Sequence, residues 1–519
     1  MLLAQVVEVS TAIAATASRT AKLARIAATL RALDADEHAI GARMLAGEQP
    51  HKAGVGYGLA SSVVADPAPQ PSLTLREVDA RFAAMVDLRG EGSGTARRDA
   101  VGELLRRATA PEQAFLRALA IGNVRQGAEA SLVVDAIARA TELPLADTRR
   151  AYMLAGDLGA VADAALADGA AGLARFGLVL FRPILPMLAQ TADDAGGALA
   201  LFDGAEAAFE LKLDGFRIQL HKDGDDIRAY SRNLNDVTAA VPEAVAAARA
   251  MPAHQLILDG EAVALGPDGR GRPFQDTMKR FGRRADAALR AEMPLSLAMF
   301  DVLRVDGRTL LDASARDRFA TLAALSPAHA VPRVVTRDPA VAAAFYDDAI
   351  ARGHEGVMAK SLDAPYDAGH RGAAWLKIKK VRRLDLVILA AEWGSGRRTG
   401  WLSNLWLGAR DPAAPGEFVM LGKTFKGLTD EVLTWQTAEL LAREVDRDGH
   451  VVHVRPELVA EIAFNDVLRS PRYPGGLALR LARMVRYRGD KTAAEADTID
   501  AVRAIAIADG VLAADGKRS

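Results

Sequence analysis

The chain has 519 residues, with 65 Lys and Arg against 66 Asp and Glu, and it contains no cysteine. At roughly 100–200 residues per domain, this length predicts about three or four domains and excludes a single small module. Without cysteine there are no disulfides, thiolate zinc sites, iron–sulfur clusters or cysteine nucleophile, so a bound metal must use oxygen or imidazole ligands. A net charge of −1 argues, taken alone, against a polyanionic partner such as nucleic acid.

Membrane insertion is not expected from the hydropathy pattern. A spanning helix needs about 18 uninterrupted apolar residues, and the best candidate, residues 171–189, is interrupted by Arg175, Arg182, Pro183 and Pro186. The first residues have no basic region before their apolar part, so they do not resemble a signal peptide. These features predict a soluble, cytoplasmic protein.

The first predicted domain, residues 1–185, is all-helical. Apolar residues recur there at three- and four-residue spacing, as in 6–30 and 114–140. Ser72 and Thr74, just after a Pro-rich connector, are candidate helix caps. Pro183 and Pro186 end the helical periodicity, which places a domain boundary near residue 185.

Residues 186–384 are predicted to form an α+β domain, because short β-type runs alternate with helical stretches. The β-type runs are 208–213, 216–221, 256–265, 295–302, 357–360 and 375–379, and the helical stretches include 239–250 and 315–325. Residues 385–505 contain further β-type runs joined by Gly-containing turns, which predicts a small β-barrel. Residues 506–519 are predicted to be a C-terminal tail.

Two segments of the chain are strongly basic, although the net charge of the whole chain is close to zero. Residues 371–383 hold six basic residues and no acid, and residues 469–491 hold seven basic residues and one acid. A charge run is usually a solvated face. Because these basic residues alternate with apolar ones, the segments are predicted to be strands with one apolar and one cationic face.

The most specific local pattern is Lys212-x-Asp214-Gly215-x-Arg217. With average residue usage, four such fixed identities occur by chance in a chain of this length well under about 1% of the time. One interpretation is a hairpin whose turn is Asp214-Gly215. In the other, a lysine between two β runs is partly desolvated, which lowers its pKa and frees the amine to attack phosphorus or a carbonyl.

With this motif, the chain resembles the covalent nucleotidyltransferases, and specifically the ATP-dependent DNA ligases. The resemblance implies that Lys212 attacks the α-phosphate of ATP, forms a lysyl-AMP phosphoramidate and releases pyrophosphate. AMP then moves to the 5′-phosphate of a nick, and the 3′-hydroxyl displaces AMP to seal the strand.

Further motifs of the same family follow in order. Ser231-Arg232-Asn233 matches a segment whose arginine contacts the nucleotide or the 5′-phosphate of the nick. Glu261, in Asp259-Gly260-Glu261, matches a glutamate near the ribose or a metal, and Phe300 matches the ring that stacks on adenine. Taken singly, these residues also fit a surface arginine, an Asp-Gly turn and a core phenylalanine.

The resemblance also implies phosphate and metal ligands. Glu355, in the motif Glu355-Gly356-Val357-Met358-Ala359-Lys360, matches the carboxylate that binds the catalytic divalent ion. Arg371 and the alternating Lys377 and Lys379 match the cations around the AMP phosphate. The i, i+2 spacing places both lysines on one face of a strand.

The last motif is Arg488-Gly489-Asp490-Lys491, which matches the element that orients pyrophosphate during self-adenylylation. Nearer the nucleophile, the resemblance implies that Glu210 accepts a hydrogen bond from the adenine amino group, which favours ATP over GTP. It also implies that Arg217 reaches the ribose or the substrate phosphate.

Flanking regions separate the ligases from other nucleotidyltransferases. mRNA-capping enzymes and RNA ligases share the core motifs but do not usually carry so large a helical domain before the nucleophile, and NAD-dependent ligases need a four-cysteine zinc element. Residues 119–127 and 182–189 resemble the helical DNA-binding domain of three-domain ATP-dependent ligases. An RNA-end-modifying enzyme and a non-catalytic DNA-binding scaffold remain the alternatives. Ala482 and Met484 depart from relatives that have proline and phenylalanine there.

The resemblance therefore implies a helical DNA-binding domain (1–185), an adenylation domain (186–384), an OB-fold β-barrel (385–505) and a tail (506–519). The implied enzyme is a monomer that uses ATP with Mg²⁺ or Mn²⁺ and binds nicked double-stranded DNA, but no membrane. It would serve DNA replication, repair or recombination in the cytoplasm, associated with the nucleoid when bound to DNA. A hinge is expected near residues 380–385.

Residues 1–185 contain 20 basic and 20 acidic residues. A DNA-gripping domain without a cationic excess must rely on local arginines, helix N-termini and backbone amides. We therefore expect salt to weaken DNA binding less steeply than it does for a strongly basic protein.

Overall fold

The computed structural model describes residues 1–51, 53–265, 271–272, 274–281, 287–368 and 371–512. These residues form two compact units. The first contains residues 1–188, 232–235 and 366–372, and the second contains 189–231, 236–365 and 373–519. The predicted boundaries at 185, 384 and 505 stay predictions, and residues 513–519 of the predicted tail lie outside the described part.

The first unit is built from helices, which confirms the all-α prediction for the N-terminal region. The helices are α1 (Leu3–Ala14), α2 (Arg19–Arg31), α3 (His38–Ala46), α4 (Tyr57–Ser62), α5 (Leu75–Val86), α6 (Ser93–Arg106), α7 (Ala110–Ala120), α8 (Ala130–Thr141), α9 (Leu145–Ala155) and α10 (Leu158–Leu173).

Local sequence explains where these helices begin and which of them is central. Of the two candidate caps, Thr74 and not Ser72 caps α5. The Thr74 hydroxyl accepts a hydrogen bond from Glu77 N, and the Glu77 carboxylate accepts one from Thr74 N, so two otherwise unpaired amides are satisfied. Helix α8 has a wide apolar face, which includes the buried Val133, Ala136 and Ile137. A helix packs such a face against a core, and these three residues lie in the core of this unit.

The second unit contains strands and helices in alternation. Its elements up to residue 379 are β1 (Leu188–Thr191), α11 (Ala195–Leu201), β2 (Ala207–Lys212), β3 (Phe216–Asp223), β4 (Asp226–Ser231), α12 (Pro242–Ala250), β5 (Gln255–Ala264), α13 (Phe274–Lys279), α14 (Ala287–Glu292), β6 (Leu295–Val305), β7 (Arg308–Thr309), α15 (Ala315–Leu325), β8 (Arg333–Thr336), α16 (Pro339–Ala351), β9 (Gly356–Ser361) and β10 (Arg371–Lys379).

The segment after Lys212 connects two different sheets. Strand β2 lies in a five-stranded sheet of order β1-β10-β9-β2-β8, whereas β3 lies in a sheet of order β4-β3-β5-β6-β7. Strand β2 pairs with β8 and β9, whereas β3 pairs with β4 and β5. Since a hairpin would pair β2 with β3, the hairpin interpretation of Asp214-Gly215 is wrong.

The remainder of the second unit is strand-rich. Its elements are β11 (Arg382–Trp393), β12 (Leu402–Arg410), β13 (Phe418–Thr424), α17 (Asp430–Leu441), β14 (Glu444–Asp448), β15 (Val451–Val454), β16 (Val459–Phe464), β17 (Asp466–Arg469), β18 (Leu477–Arg480), β19 (Arg483–Tyr487) and α18 (Ile499–Ala508).

A strand-rich C-terminal region was predicted correctly, but a closed barrel is not what the described pairings form. They give the path β13-β12-β11-β15-β14, with β16 joining β11 to β19 and with β17 and β18 as a separate pair. The sequence analysis also missed α17, which packs over β12 and buries Leu433 and Leu440.

Within the described residues, no helix combines the length and the apolar character that crossing a membrane requires.

Candidate active site

Lys212 lies at the end of β2, in a row of residues that crosses three strands. Lys212 is paired with Gly356 of β9, and Gly356 is paired with Lys379 of β10. The residue before Gly356 is Glu355, whose carboxylate accepts hydrogen bonds from both lysines: Lys212 Nζ donates to Oε2 and Lys379 Nζ to Oε1. The sheet register thus gathers three of the predicted site residues around one carboxylate.

This carboxylate is ionised because two ammonium groups face it. Only 7% of the Glu355 side chain is exposed, against 20% for each lysine. Burial alone would raise the pKa of Glu355, but Lys212 and Lys379 outweigh that effect and hold its pKa below the usual value. In this state Glu355 is the counter-charge of the candidate nucleophile.

Two motif glycines allow the backbones around this cluster to approach closely. A Cβ on Gly215 would lie 2.5 Å from the Ala262 carbonyl oxygen. At Gly356, φ is +148°, and a Cβ would lie 2.1 Å from the Ile378 carbonyl oxygen. Only glycine fits these positions, which accounts for the glycine in each motif.

Arg217 and Glu261 are paired across strands β3 and β5 of the second central sheet. Arg217 makes a two-pronged ion pair with Asp259, with Nε 3.0 Å from Oδ1 and Nη2 2.6 Å from Oδ2. Burial raises the pKa of Glu261 to about 7, Lys212 and Arg217 oppose that rise, and Asp259 adds to it. Arg217 is therefore held by a carboxylate that the motif contains but to which the sequence analysis gave no role.

The predicted stacking residue, Phe300, contacts a second aromatic ring. Its ring centroid is 5.8 Å from that of Trp375, with the planes 84° apart. The Arg217 guanidinium carbon lies 5.3 Å from the Phe300 centroid, and Lys360 Nζ lies 4.8 Å from it. Both cations face the ring at distances that favour cation–π attraction.

Glu210 lies deeper, between two cations. It is 1% exposed. Its Oε2 lies 2.5 Å from Lys360 Nζ, and its Oε1 lies 2.8 Å from Arg333 Nη2. The sequence analysis assigned no role to either cation. Lys360 ends the Glu355-Gly356 motif and was a recognisable signal, whereas Arg333 belongs to no motif.

Fewer contacts describe the predicted phosphate ligands than the cluster around Glu355. Lys377 is paired with Met358 across β10 and β9, and its carbonyl oxygen accepts a hydrogen bond from Ala192 N. Arg232 and Arg371 belong to the first compact unit. The Arg371 side chain lies outside the described part, and the phosphate roles of these residues stay predictions.

The predicted pyrophosphate-orienting residues are gathered around Asp385 of β11. Asp385 Oδ2 lies 2.8 Å from Arg488 Nη1 and 2.6 Å from Lys491 Nζ. Arg488 also makes two hydrogen bonds of 2.8 and 2.6 Å to Asp490, and these hold the pKa of that carboxyl well below its usual range. All of these partners are in the C-terminal region, and no contact between this group and Lys212 is recorded for the described residues.

One contact does join the C-terminal region to the Lys212 motif. Arg480 Nη1, on β18, lies 3.0 Å from Asp214 Oδ2 and 3.2 Å from Asp466 Oδ2. Burial raises the pKa of Asp466 despite the opposing charge of Arg480, while Arg480 itself is held charged by Asp214 and Asp466. The sequence analysis did not predict this contact.

The donor set near Lys212 fits Mg²⁺, although among the described residues no group of three or more His, Asp or Glu side chains is arranged to hold a metal. Mg²⁺ in nucleotide sites usually keeps several waters and is bound by one or two carboxylates together with substrate phosphates. Glu355 and Glu261 are the carboxylates that would supply such oxygens, and both oxygens of Glu355 accept hydrogen bonds from lysines here.

Comparisons with known proteins agree with this geometry. The "ATP dependent DNA ligase domain" family model matches residues 186–379, the "ATP dependent DNA ligase C terminal region" model matches 398–491, and the "DNA ligase N terminus" model matches 59–138. A "Probable DNA ligase" of Anaeromyxobacter dehalogenans (strain 2CP-C) is 56% identical over 512 residues, which cover 97% of this chain and 99% of the relative.

Two further matches cover almost the whole chain. A "Probable DNA ligase" of Beutenbergia cavernae is 53% identical over 514 residues, covering 98% of this chain and 100% of the relative. The solved structure "Pmar-Lig_PreS3" superposes with a TM-score of 0.61 at 17% identity, covering 93% of this chain and 99% of that one, and supports the fold alone.

The chain belongs to the ATP-dependent DNA ligase family. It is an enzyme of that class, with the helical N-terminal region, the central adenylation domain and the strand-rich C-terminal domain of the three-domain ligases.

Proposed function

We propose that this enzyme seals nicks in duplex DNA through a covalent AMP adduct on Lys212. The observation that carries the proposal is the cluster of Lys212, Glu355 and Lys379, in which a lysine at a strand end shares one buried carboxylate with a second lysine. Such a site suits transfer of a nucleotidyl group, which requires positioning and charge neutralisation more than acid–base chemistry.

In the first step the Lys212 amine attacks the α-phosphorus of ATP. A nitrogen–phosphorus bond forms, the bond to the β-phosphate oxygen breaks, and pyrophosphate leaves. Lys212 must give up a proton, and Glu355 is the carboxylate in hydrogen-bond contact with it. Lys379 and Lys377, with Arg371, neutralise charge that develops on the α-phosphate.

In the second step the 5′-phosphate of the nick attacks the adenylate phosphorus and Lys212 leaves as an amine. In the third step the 3′-hydroxyl attacks the 5′-phosphorus, the phosphodiester forms and AMP leaves. Arg217, held by Asp259, and Arg232 bind nucleotide or DNA phosphate in these steps.

Phe300 stacks on the adenine ring, and Glu210 accepts a hydrogen bond from the adenine amino group. Mg²⁺ or Mn²⁺ held by Glu355 and Glu261 would supply positive charge to the phosphates. Arg488, Asp490 and Lys491 orient the pyrophosphate, which requires them to move from Asp385 to the nucleotide by a hinge near residues 380–385.

We further propose the domain boundaries 1–185, 186–384, 385–505 and 506–519, with the helical domain gripping nicked duplex DNA. The enzyme acts as a monomer in the cytoplasm, associated with the nucleoid when bound to DNA, in replication, repair or recombination.

The decisive test compares Lys212→Ala with a matched control, Lys426→Ala, which removes an exposed lysine. With α-labelled ATP, the wild type and Lys426→Ala become labelled on a denaturing gel and Lys212→Ala does not. Label on Lys212→Ala would refute the assignment.

Sealing of a singly nicked duplex is then measured with ATP, GTP or NAD as the only nucleotide. ATP alone should support sealing. Labelling by GTP would favour an RNA-end-modifying enzyme, and absence of any lysyl-AMP would favour a non-catalytic scaffold.

A further inference from the structure

Arg333 lies directly opposite Glu210 in the sheet. The two residues are paired across the antiparallel strands β2 and β8, and Arg333 Nη2 lies 2.8 Å from Glu210 Oε1. The Arg333 guanidinium carbon lies 3.9 Å from the centroid of the Phe319 ring. Strand pairing and the aromatic face therefore fix the guanidinium on one side of the Glu210 carboxylate.

Lys360 binds the other side of the same carboxylate, with Nζ 2.5 Å from Oε2. Lys360 is itself 1% exposed. Burial lowers the pKa of Lys360 while Glu210 opposes that effect. Because a lysine ammonium is a point charge on a flexible stem, Lys360 alone does not fix the orientation of the Glu210 carboxylate.

An arginine supplies the missing constraint, because its planar guanidinium presents its donors in a rigid fork. With Arg333 fixed beside Oε1, the carboxylate of Glu210 is held between two cations, one at each oxygen. A carboxylate accepts hydrogen bonds and donates none. The position of Arg333 thus decides where a ligand donor can meet Glu210.

Glu210 Oε1 retains unused acceptor capacity. Although Arg333 Nη2 is close, the pair is not aligned as a hydrogen bond, and Oε1 is buried without a hydrogen-bond partner among the described residues. Buried polar atoms are normally satisfied. An unsatisfied carboxylate oxygen in a nucleotide site marks a place for a ligand donor.

We propose that Arg333 is a specificity-determining positioning residue that makes the site select a 6-amino purine over a 6-oxo purine by holding the Glu210 carboxylate in place. The inference rests on the proposed function, in which Glu210 faces the base. A 6-amino group donates to Oε1, whereas a 6-oxo group would place its lone pairs against a carboxylate that cannot donate. Without the Arg333 guanidinium, the Glu210 carboxylate can turn away from the base, and the difference in binding between the two groups shrinks.

The test measures kcat and KM for Lys212 adenylylation with ATP and with inosine triphosphate, which differs from ATP at purine position 6. The variants are Arg333→Met and Arg333→Gln, with Arg316→Met as a control because Arg316 makes an exposed pair with Glu206. Selectivity is the kcat/KM for ATP divided by the kcat/KM for inosine triphosphate. Loss of one charge-assisted interaction should lower this ratio by at least about tenfold. The change should lie mainly in KM for ATP.

Arg333→Lys, which retains the charge without the planar fork, should recover part of the selectivity. A merely structural role would lower kcat/KM for both nucleotides equally, so a ratio that stays within twofold of the wild type in a folded Arg333→Met or Arg333→Gln protein overturns the proposal. If both neutral variants fail to fold by circular dichroism, Arg333→Lys decides: a ratio reduced about threefold supports the proposal and an unchanged ratio overturns it.

The same assay separates this inference from the proposed function. A wild type that never becomes adenylylated on Lys212 refutes the proposed function. A wild type that is adenylylated, with Arg333 variants of unchanged selectivity, refutes only the role of Arg333.

Discussion

Arg480, at the end of β18 in the C-terminal domain, donates a hydrogen bond of 3.0 Å to Asp214, two residues after Lys212. The arginine also contacts Asp466, its paired residue on β17. Since Asp214 immediately precedes Gly215 in the segment between the two central sheets, this ion pair ties the C-terminal domain to the motif that carries the nucleophile.

Replacing Arg480 with glutamine should slow sealing more than self-adenylylation. The proposed first step needs Lys491 at the nucleotide, whereas Lys491 is bound to Asp385 here. On that proposal, the Arg480 contact belongs to a different state of the enzyme. A lost charged hydrogen bond corresponds to about tenfold or more in rate. We expect that reduction in sealing of a pre-adenylylated nick, with Lys212 labelling within about twofold of the wild type.

The control is Asp466→Asn, which weakens the second contact of Arg480 but keeps the Asp214 pair. It should affect sealing less than Arg480→Gln does. Equal losses in labelling and sealing for Arg480→Gln would contradict a step-specific role.

Gly215→Ala should destabilise the protein and slow adenylylation. The added Cβ would meet the Ala262 carbonyl oxygen at 2.5 Å and Glu261 Cγ at 2.8 Å, and neither the backbone of β5 nor the half-buried Glu261 can move away freely. Overpacking of this kind costs about 1–3 kcal/mol. Urea denaturation measures the free energy of unfolding, and α-labelled ATP measures the adenylylation rate.

Gly177→Ala is the matched control, because its Cβ would have no heavy atom within 4 Å and its φ is not in the left-handed region. It should leave both quantities unchanged. If Gly215→Ala were as stable and as active as Gly177→Ala, the close approach around Lys212 would not matter.

Glu355→Gln should abolish adenylylation and lower stability. It leaves the ammonium groups of Lys212 and Lys379 without their shared counter-charge, and removing one partner of a buried ion pair costs about 3–5 kcal/mol. Because the pKa of Glu355 is held low, its contribution is fully present above the ordinary carboxyl pKa near about 4.3 and is lost as the pH falls through the lowered value.

Chemical denaturation at several pH values checks this prediction. The difference in unfolding free energy between the wild type and Glu355→Gln should be large at pH 7 and shrink in acid. Glu206→Gln, in an exposed pair with Arg316, should show little difference at any pH. A pH-independent difference for Glu355→Gln would exclude the electrostatic explanation.

The sequence named three residues that the sheet register brings together, although their roles stay predictions. Lys212, Glu355 and Lys379 are far apart in the chain, yet each lies at the end of, or next to, a strand that the periodicity identified, and antiparallel pairing places them side by side. The resemblance to ligases named these residues, and the register explains why they meet.

Other features depend on long-range packing that no local pattern encodes. Arg333 and Asp385 belong to no motif. Their partners are distant in the chain and come close only because β8 pairs with β2 and β11 pairs with β16. Barrel closure was expected from strand content, but strand content does not specify which edges pair. Helix α17 was missed because a strand-rich interpretation was extended across it, although Thr429 caps its first turn.

Acid should destabilise the central domain through His221. This side chain is fully buried on β3, where its Nε2 lies 2.9 Å from Gln219 Oε1 and its ring packs edge-on against Tyr230 at 5.1 Å. Burial lowers the pKa of His221 to about 3. Between that value and its ordinary pKa of about 6.5, the unfolded chain binds a proton that the folded chain does not, so stability falls as the pH decreases.

The slope from this one group approaches about 1.4 kcal/mol per pH unit. His221→Phe keeps a ring but cannot titrate, so its unfolding free energy should fall less steeply than that of the wild type from about pH 6.5 to about pH 3, as the linkage relation requires. His254→Phe, at a largely exposed ring, should retain the wild-type slope. Carboxylates elsewhere add the same slope to all three proteins, so only the difference between the curves reports on His221. Parallel curves for the wild type and His221→Phe would show that the burial of His221 does not control acid stability.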